Sequence, residues 1–405
     1  MKILIVVGAR PNFIKAAPIL KAIREFNAIR GGRAESLSAV LVHTGQHYDA
    51  KMSDTFFADL QMPQPDVFLG AGSGTHAEQT AAVMKHFEPV LLSERPDALL
   101  VVGDVNSTLA CALVAAKMPA GSKPLIAHVE AGLRSGDRGM PEEINRILTD
   151  QISDLLFVSE DSGMRNLRVE GISCERAYLV GNTMIDSLRE HEAQAESSLI
   201  LRQYQLEKQD YALLTLHRAA NVDDRESFIE IMEGLRELAE SRRIIFPAHP
   251  RTQKQIRELG LEPYFGECGA CGIQMIDPQG YVDFLCLMKY ACLVVTDSGG
   301  VQEETTALGV PCVTLRDNTE RPATIECGTN LLGGTARNTI QQAIRKQLVW
   351  QRRSLIPELW DGRAASRIIG ILAERLAQDL RCGENSPQAE VVELGARSAS
   401  VGGQI

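Results

Sequence analysis

The chain has 405 residues, 44% hydrophobic and 23% charged, which excludes a disordered or fibrous protein and exceeds what one core organises, so two domains are expected. Forty-two Lys and Arg against 52 Asp and Glu give a net charge of -10. That balance excludes a broad nucleic-acid or anionic-membrane surface, so any anionic ligand must be held locally.

The chain opens on Met1-Lys2-Ile3-Leu4-Ile5-Val6-Val7, an apolar run too short for a signal segment or a membrane span. It reads as the buried first strand of a cytoplasmic protein. Short β-branched runs then alternate with longer amphipathic stretches, the pattern of parallel sheets covered on both faces. In the first half the expected strands are 2–7, 39–43, 98–102, 125–129, 155–158 and 177–180, with helices over 13–26 and 80–92 among them. The polar stretch 186–208 reads as a stiff helix-and-turn connection. A second series follows at 211–216, 244–246, 274–276, 293–296 and 312–315.

The fold class is therefore α/β, with two Rossmann-like doubly wound domains facing a cleft. The boundaries expected are 1–185, 186–365, a helix over 366–382 that packs back on the first domain, and a disordered tail over 383–405. Nine cysteines, several in apolar runs, suit a reducing compartment. Cys268 and Cys271 have CxxC spacing without a second pair or nearby His, and read as a loop; no metal site is expected.

Ligands of doubly wound sheets sit beyond the carboxyl ends of the strands, so the loops there carry the chemistry. The first, Gly8-Ala9-Arg10-Pro11-Asn12-Phe13-Ile14-Lys15, is not the GxGxxG turn of dinucleotide binding but lets Arg10 and Lys15 point at an anion near the helix N-terminus. The loop 44–49 brings Gln46 to the same edge. After the strand ending at Val102, Asp104 is either a helix cap or a general base. Glu130 ends a buried strand, where an unpaired charge is costly and therefore marks a functional position, and Pro141 opens a helix whose first turn holds Glu142 and Glu143. In the second half His217 follows a strand, and Ser298-Gly299-Gly300 delivers a Gly-rich turn to a helix N-terminus where backbone N–H groups can hold a diphosphate. Glu304 lies in that helix, within reach of ribose hydroxyls, and Arg321 adds a cation in the next loop. Two such domains, with this turn and Glu in the second, resemble the GT-B architecture of sugar-nucleotide enzymes.

The segments GARPNFIKAAP, TGQHYD, GDVNSTLA, HVEAGLRSGDRGMPEEINRILTDQISDLLFVSE, VGNTMIDSL, TLHRAANVDD, TDSGGVQEE and RDNTERPATIECGT, in this order, resemble the non-hydrolysing UDP-N-acetylglucosamine 2-epimerase family from Met1 to the helix around 364–380. The resemblance implies that Arg10, Lys15, Gln279, Phe284, Ser298, Gly299, Gly300, Glu304 and Arg321 hold UDP. It implies that Asp104, Glu130, Glu142 and His217 form the catalytic group, in a homodimer that uses no nicotinamide cofactor. Some bacterial members bind a second UDP-sugar as activator, which would engage Gln46, Glu143 and Arg218. Asp49, where those members carry a longer amide, and a shorter segment before Pro141 both weigh against such activation.

The implied reaction interconverts UDP-GlcNAc and UDP-ManNAc by eliminating UDP to a 2-acetamidoglucal and adding it back. Relatives that act on a UDP-2,3-diacetamido-2,3-dideoxyglucuronate are an alternative. A GT-B glycosyltransferase is a reading from another class, but it needs an acceptor groove with an apolar or basic membrane-facing patch, which the first half lacks. A non-catalytic UDP-sugar sensor is a third.

Overall fold

The computed structural model describes residues 1–30, 36–45, 57, 59–266, 271–349 and 355–384, apart from the side chains of Arg10 and of residues 380–384. Gln46, Asp49, Cys268 and the Arg10 side chain therefore lie outside the described residues, as does the tail expected over 383–405 from residue 385 on; residues 383 and 384 instead end the last helix.

The first half forms a seven-stranded sheet from β1 (Lys2–Val7), β2 (Ser38–His43), β3 (Val67–Phe68), β4 (Ala98–Val102), β5 (Leu125–Ala131), β6 (Leu155–Val158) and β7 (Ala177–Leu179), ordered β3-β2-β1-β4-β5-β6-β7. The second half forms a six-stranded sheet from β8 (Tyr211–Thr215), β9 (Arg243–Pro247), β10 (Gly272–Ile276), β11 (Leu293–Thr296), β12 (Cys312–Thr314) and β13 (Asn330–Leu332), ordered β10-β9-β8-β11-β12-β13. Every pairing is parallel. The physical reason is legible in β4 and, after Lys2, in β1, whose residues are apolar and buried on both faces, as a strand covered by helices on either side must be.

In each sheet the strand order reverses beside the first strand, at β1/β4 and at β8/β11. Crossovers run to opposite faces there and leave a crevice. The loops after β1, β4 and β5 in one sheet and after β8, β11 and β12 in the other reach that crevice.

The expected strands are present within a residue or two. Two short edge strands, β3 and β13, were not anticipated: two or three residues are too few for an alternation or an apolar run to register. The helices after β1 and β3 are longer than their apolar cores, Arg10–Arg30 and His76–Glu94. The second gains its first turn from Thr75 and Glu78, which form a reciprocal capping box.

The connection 186–208 is mostly helix, Thr183–Glu196 and Ile200–Gln203. The last helix, Ala364–Glu384, returns to pack on Arg10–Arg30 and Thr183–Glu196, burying Ile368, Ile369, Leu372 and Leu376. Its start is fixed by the Asp186 carboxylate, which accepts from the backbone N–H of Ala364 at 3.1 Å and Ala365 at 2.7 Å. Among the described residues, no helix is long and apolar enough to cross a membrane.

Candidate active site

The loop after β1 is tied down by Asn12. Its Oδ1 accepts from the N–H of Gly8 at 3.1 Å and Ala9 at 3.0 Å, and its Nδ2 donates to the carbonyl of Val102 at 2.8 Å. The loop thereby meets the end of β4, and Lys15, one turn further into the helix, is buried against Glu130.

Glu130 sits where β5 slips register against β6, with φ of +71°. That backbone region is sparsely used by residues other than glycine, and such strain concentrates at working sites. The side chain is 7% exposed and paired from both domains, by Lys15 Nζ on one oxygen and Arg321 Nη2 on the other. Burial alone would raise its pKa, but the Lys15 and Arg321 charges outweigh burial and hold it below the ordinary carboxylate value.

Arg321 is buried as well. Its Nε lies 2.9 Å from Glu303 Oε1 and its Nη1 3.1 Å from Glu320 Oε1, while Arg316 reaches Glu320 Oε2 at 2.7 Å. Three cations, Lys15, Arg316 and Arg321, thus face three acids, Glu130, Glu303 and Glu320. The acids do not share these cations equally. Glu320, between two arginines, is held well below the usual range despite its burial, whereas burial pushes Glu303 up.

Asp104 follows β4. It does not cap the helix Asn106–Ala116, whose N-cap is Val105 with no side-chain hydrogen bond. Its Oδ2 instead accepts from Arg146 Nη1 at 2.6 Å, and Asn145 Nδ2 donates to its carbonyl at 2.9 Å. Arg146 also donates to Glu143 Oε2 from Nε at 3.1 Å and Nη2 at 2.7 Å. Glu143 further accepts from the N–H of Ser135 at 3.0 Å and Gly136 at 2.9 Å. It is a buried organiser of this loop, while its neighbour Glu142 is half-buried in the first helical turn, and the Glu142 charge acts on Arg218 across the crevice.

In the second domain the organiser is Asp297, with no surface exposure. Its carboxylate accepts from the backbone N–H of His217 at 3.0 Å and Arg218 at 2.9 Å, and from Asn221 Nδ2 at 3.2 Å. It also lies 2.9 Å from His217 Nδ1. These partners overcome burial and hold the Asp297 carboxyl down to about 2. The His217 ring is orientated by that contact, with its side chain 54% exposed at the crevice edge.

Ser298 is the N-cap of the helix Gly299–Leu308, whose first N–H groups have no partner within the helix. A Cβ at Gly299 would lie 2.7 Å from Glu320 Oε1 and 3.4 Å from Arg321 Cζ, so only glycine lets this turn and the Arg321 cluster touch. Glu304, one turn into the helix, accepts from Tyr281 Oη at 3.0 Å, and burial raises its carboxyl to about 8. Gln279 lies in the loop before the helix Tyr281–Lys289 and donates to the carbonyl of Asp277 at 2.6 Å. Phe284, in that helix, is half-buried.

Lys15, Glu130 and Arg321 are thus in direct contact, and Gly299 adjoins them. Asp104 and Glu142 sit on the same side of the first sheet, and His217, Arg218 and the Ser298-Gly299-Gly300 turn face them from the second. Reasoning from the sequence did not find Arg146, Asp297, Glu303 or Glu320. Asp297 was open to the argument applied to Glu130, an acid at the end of a buried strand. Arg146 had a fainter signal, its i,i+3 spacing from Glu143.

Cations and a helix N-terminus beside several carboxylates can stabilise a departing diphosphate while an adjacent acid or base moves a proton. Residues 30–373 match the family model described as UDP-N-acetylglucosamine 2-epimerase. The UDP-N-acetylglucosamine 2-epimerase of Methanocaldococcus jannaschii is 44% identical over 377 residues, covering 92% of this chain and 99% of that one. The UDP-2,3-diacetamido-2,3-dideoxy-D-glucuronate 2-epimerase of Pseudomonas aeruginosa is 43% identical, covering 92% and 100%. Among solved structures, the Methanocaldococcus jannaschii enzyme in complex with UDP-GlcNAc and UDP superposes with a TM-score of 0.84, at 44% identity, over 92% of this chain and 100% of that one.

Proposed function

The chain belongs to the UDP-N-acetylglucosamine 2-epimerase family, and from that premise we propose that it interconverts UDP-GlcNAc and UDP-ManNAc by eliminating UDP and adding it back. It is an isomerase with a two-domain GT-B-like fold. The observation that carries the mechanism is the contact of Glu130 with two cations, one from each domain. This places a carboxylate beside groups suited to a diphosphate.

The C2 hydrogen of an N-acetylhexosamine is not next to a ring carbonyl, so direct exchange of that proton is very difficult. In the proposed route a carboxylate takes the C2 proton as the C1–O bond to UDP breaks, and the electron pair forms the C1=C2 bond of a 2-acetamidoglucal. A proton then returns to C2 on the opposite face, and the UDP oxygen bonds to C1. Arg10, Lys15, Arg321 and the Ser298-Gly299-Gly300 turn are assigned to the diphosphate, with Gln279, Phe284 and Glu304 at the uridine end. Asp104, Glu130, Glu142 and His217 are assigned to the proton transfers and the charge that develops with them. Glu143 and Arg218 are the candidates that the resemblance offers for sensing a second UDP-sugar, but Glu143 is already committed to Arg146 and the Ser135–Gly136 turn, which favours a structural role. The family resemblance extends the proposal to a cytoplasmic homodimer.

The Pseudomonas aeruginosa relative is matched nearly as well, which favours UDP-2,3-diacetamido-2,3-dideoxyglucuronate as the second reading. A proton-NMR time course in deuterium oxide with each sugar nucleotide separates the two. The expected result is deuterium at C2 and a new anomeric signal with UDP-GlcNAc, without any acceptor. The Glu130→Gln variant should be slower by about a hundredfold or more. Absence of exchange with either nucleotide would refute epimerisation, and exchange with the glucuronate alone would shift the assignment to it.

A further inference from the structure

Behind the carboxylates of the first domain lies a buried pair that the mechanism above does not use. His128, in β5, and Asp150, in the helix Pro141–Ile152, have no exposed side-chain surface. His128 Nδ1 is 2.7 Å from Asp150 Oδ1, and Nε2 is 2.8 Å from the carbonyl oxygen of Gly103. Both partners are acceptors: a carbonyl never donates, and the Asp150 carboxylate already accepts from the N–H of Gly132 at 3.0 Å and is paired with Arg134 at 2.8 Å. Burial alone would raise the Asp150 carboxyl, but His128 first and then Arg134 hold it below the usual carboxylate value. Each ring nitrogen thus faces an acceptor.

The two ends of this chain of bonds have a purpose in the fold. Gly103 precedes Asp104, and Gly132 follows the bulge at Glu130. A hydrogen-bonded relay, Gly103 O to His128 to Asp150 to Gly132 N, spans the two turns that present the two acids. We infer that His128 and Asp150 are positioning residues for the epimerisation, fixing the Asp104 and Glu130 turns relative to each other. This rests on the proposed function, because it takes those two acids as the working groups.

The charged groups around the ring are few. From its own strand Glu130 faces it, from the helix Pro141–Ile152 Asp150, from the following loop Arg134, and from the first helix Lys15, through Glu130. Arg134 is itself held by Glu170, at 2.7 Å. The turn positions thus depend on a hydrogen-bond chain closed off from solvent, which a neutral isostere cannot reproduce in both directions.

The test uses the full-length enzyme with UDP-GlcNAc. His128→Asn should lower kcat at least tenfold while the Kd for UDP and the KM change far less, within about threefold, because the Ser298-Gly299-Gly300 turn and the groups assigned to the uridine end lie in the second domain, away from both turns. A loss of UDP affinity in proportion to kcat would mean general unfolding and overturn the inference, as would a kcat within twofold of wild type. As a measurement that needs no active variant, nitrogen-15 histidine NMR of the wild-type enzyme should show one histidine whose ring N–H is hydrogen-bonded and protected from exchange with solvent. That protection should be lost in Asp150→Asn. Absence of any protected histidine ring N–H in the wild-type enzyme overturns the inference even if the variants fail to fold. If wild-type enzyme leaves every UDP-sugar unchanged, the proposed function falls, while the NMR result still decides the relay.

Discussion

Asp297 illustrates how a single fully buried carboxylate earns its place. It takes two backbone N–H groups, one amide and one imidazole, and so fixes where His217 stands and which way its ring faces. Its folded-state pKa is about 2, against roughly 3.9 in an unfolded chain. A depressed acid binds fewer protons in the folded state, so its contribution is complete above about pH 4 and is lost as the pH falls toward 2. The size is about 2–3 kcal/mol. Asp297→Asn should therefore lower stability by about that much at pH 7 in urea unfolding, with the gap to wild type narrowing at pH 3. A gap that is constant with pH would show that the charge is not the source. At this scale the sequence spoke unevenly. Glu130 was conspicuous because an acid in an apolar strand is costly by itself. Glu303 and Glu320 were not, because nothing in a single strand or helix shows that Arg321 and Arg316 will be folded against them.

The element that sets the site is the end of β5. Its last residues leave regular pairing, Glu130 at φ +71° and Gly132 at φ +81°, so that the chain turns beneath the first turn of the helix Asp161–Val169. A Cβ at Gly132 would lie 2.6 Å from the carbonyl oxygen of Gly163, backbone that cannot step aside. Gly132→Ala is expected to cost about 2–4 kcal/mol and to reduce turnover at least tenfold through displacement of Glu130, read by urea unfolding and by the exchange assay. A cost under about 1 kcal/mol would show that the turn is free to relax. Strands could be read from apolar runs, but the bulge could not. A bulge is a property of two strands together, and the partner β6 looks like any other buried run.

For the whole molecule, the last helix decides whether the first domain has a closed core. Ala364–Glu384 crosses back to Arg10–Arg30, the helix that carries Lys15. Its four large buried side chains, Ile368, Ile369, Leu372 and Leu376, contribute about 6–12 kcal/mol at roughly 1.5–3 each. That is comparable with the total stability of an ordinary domain. A chain ending at Arg363 should lose cooperative thermal unfolding and most of its soluble yield, monitored by circular dichroism. A soluble truncated chain that melts within about 5 °C of the full one would remove the helix from the core. A helix returning to the first domain was expected over 366–382, although which helix it would meet depended on tertiary packing.

The pairing of Glu130 with Arg321 joins residues 191 positions apart, one from each domain. Removing Arg321 leaves Glu130 with Lys15 alone, and removing Glu130 leaves Arg321 with Glu303 and Glu320, so either loss upsets the charge balance of a buried cluster shared by both domains. The two halves of this gene product are therefore not free to drift independently: a change at one of these positions alters the charge environment of the other. A chimera assembled from two related chains would inherit this constraint at its very centre.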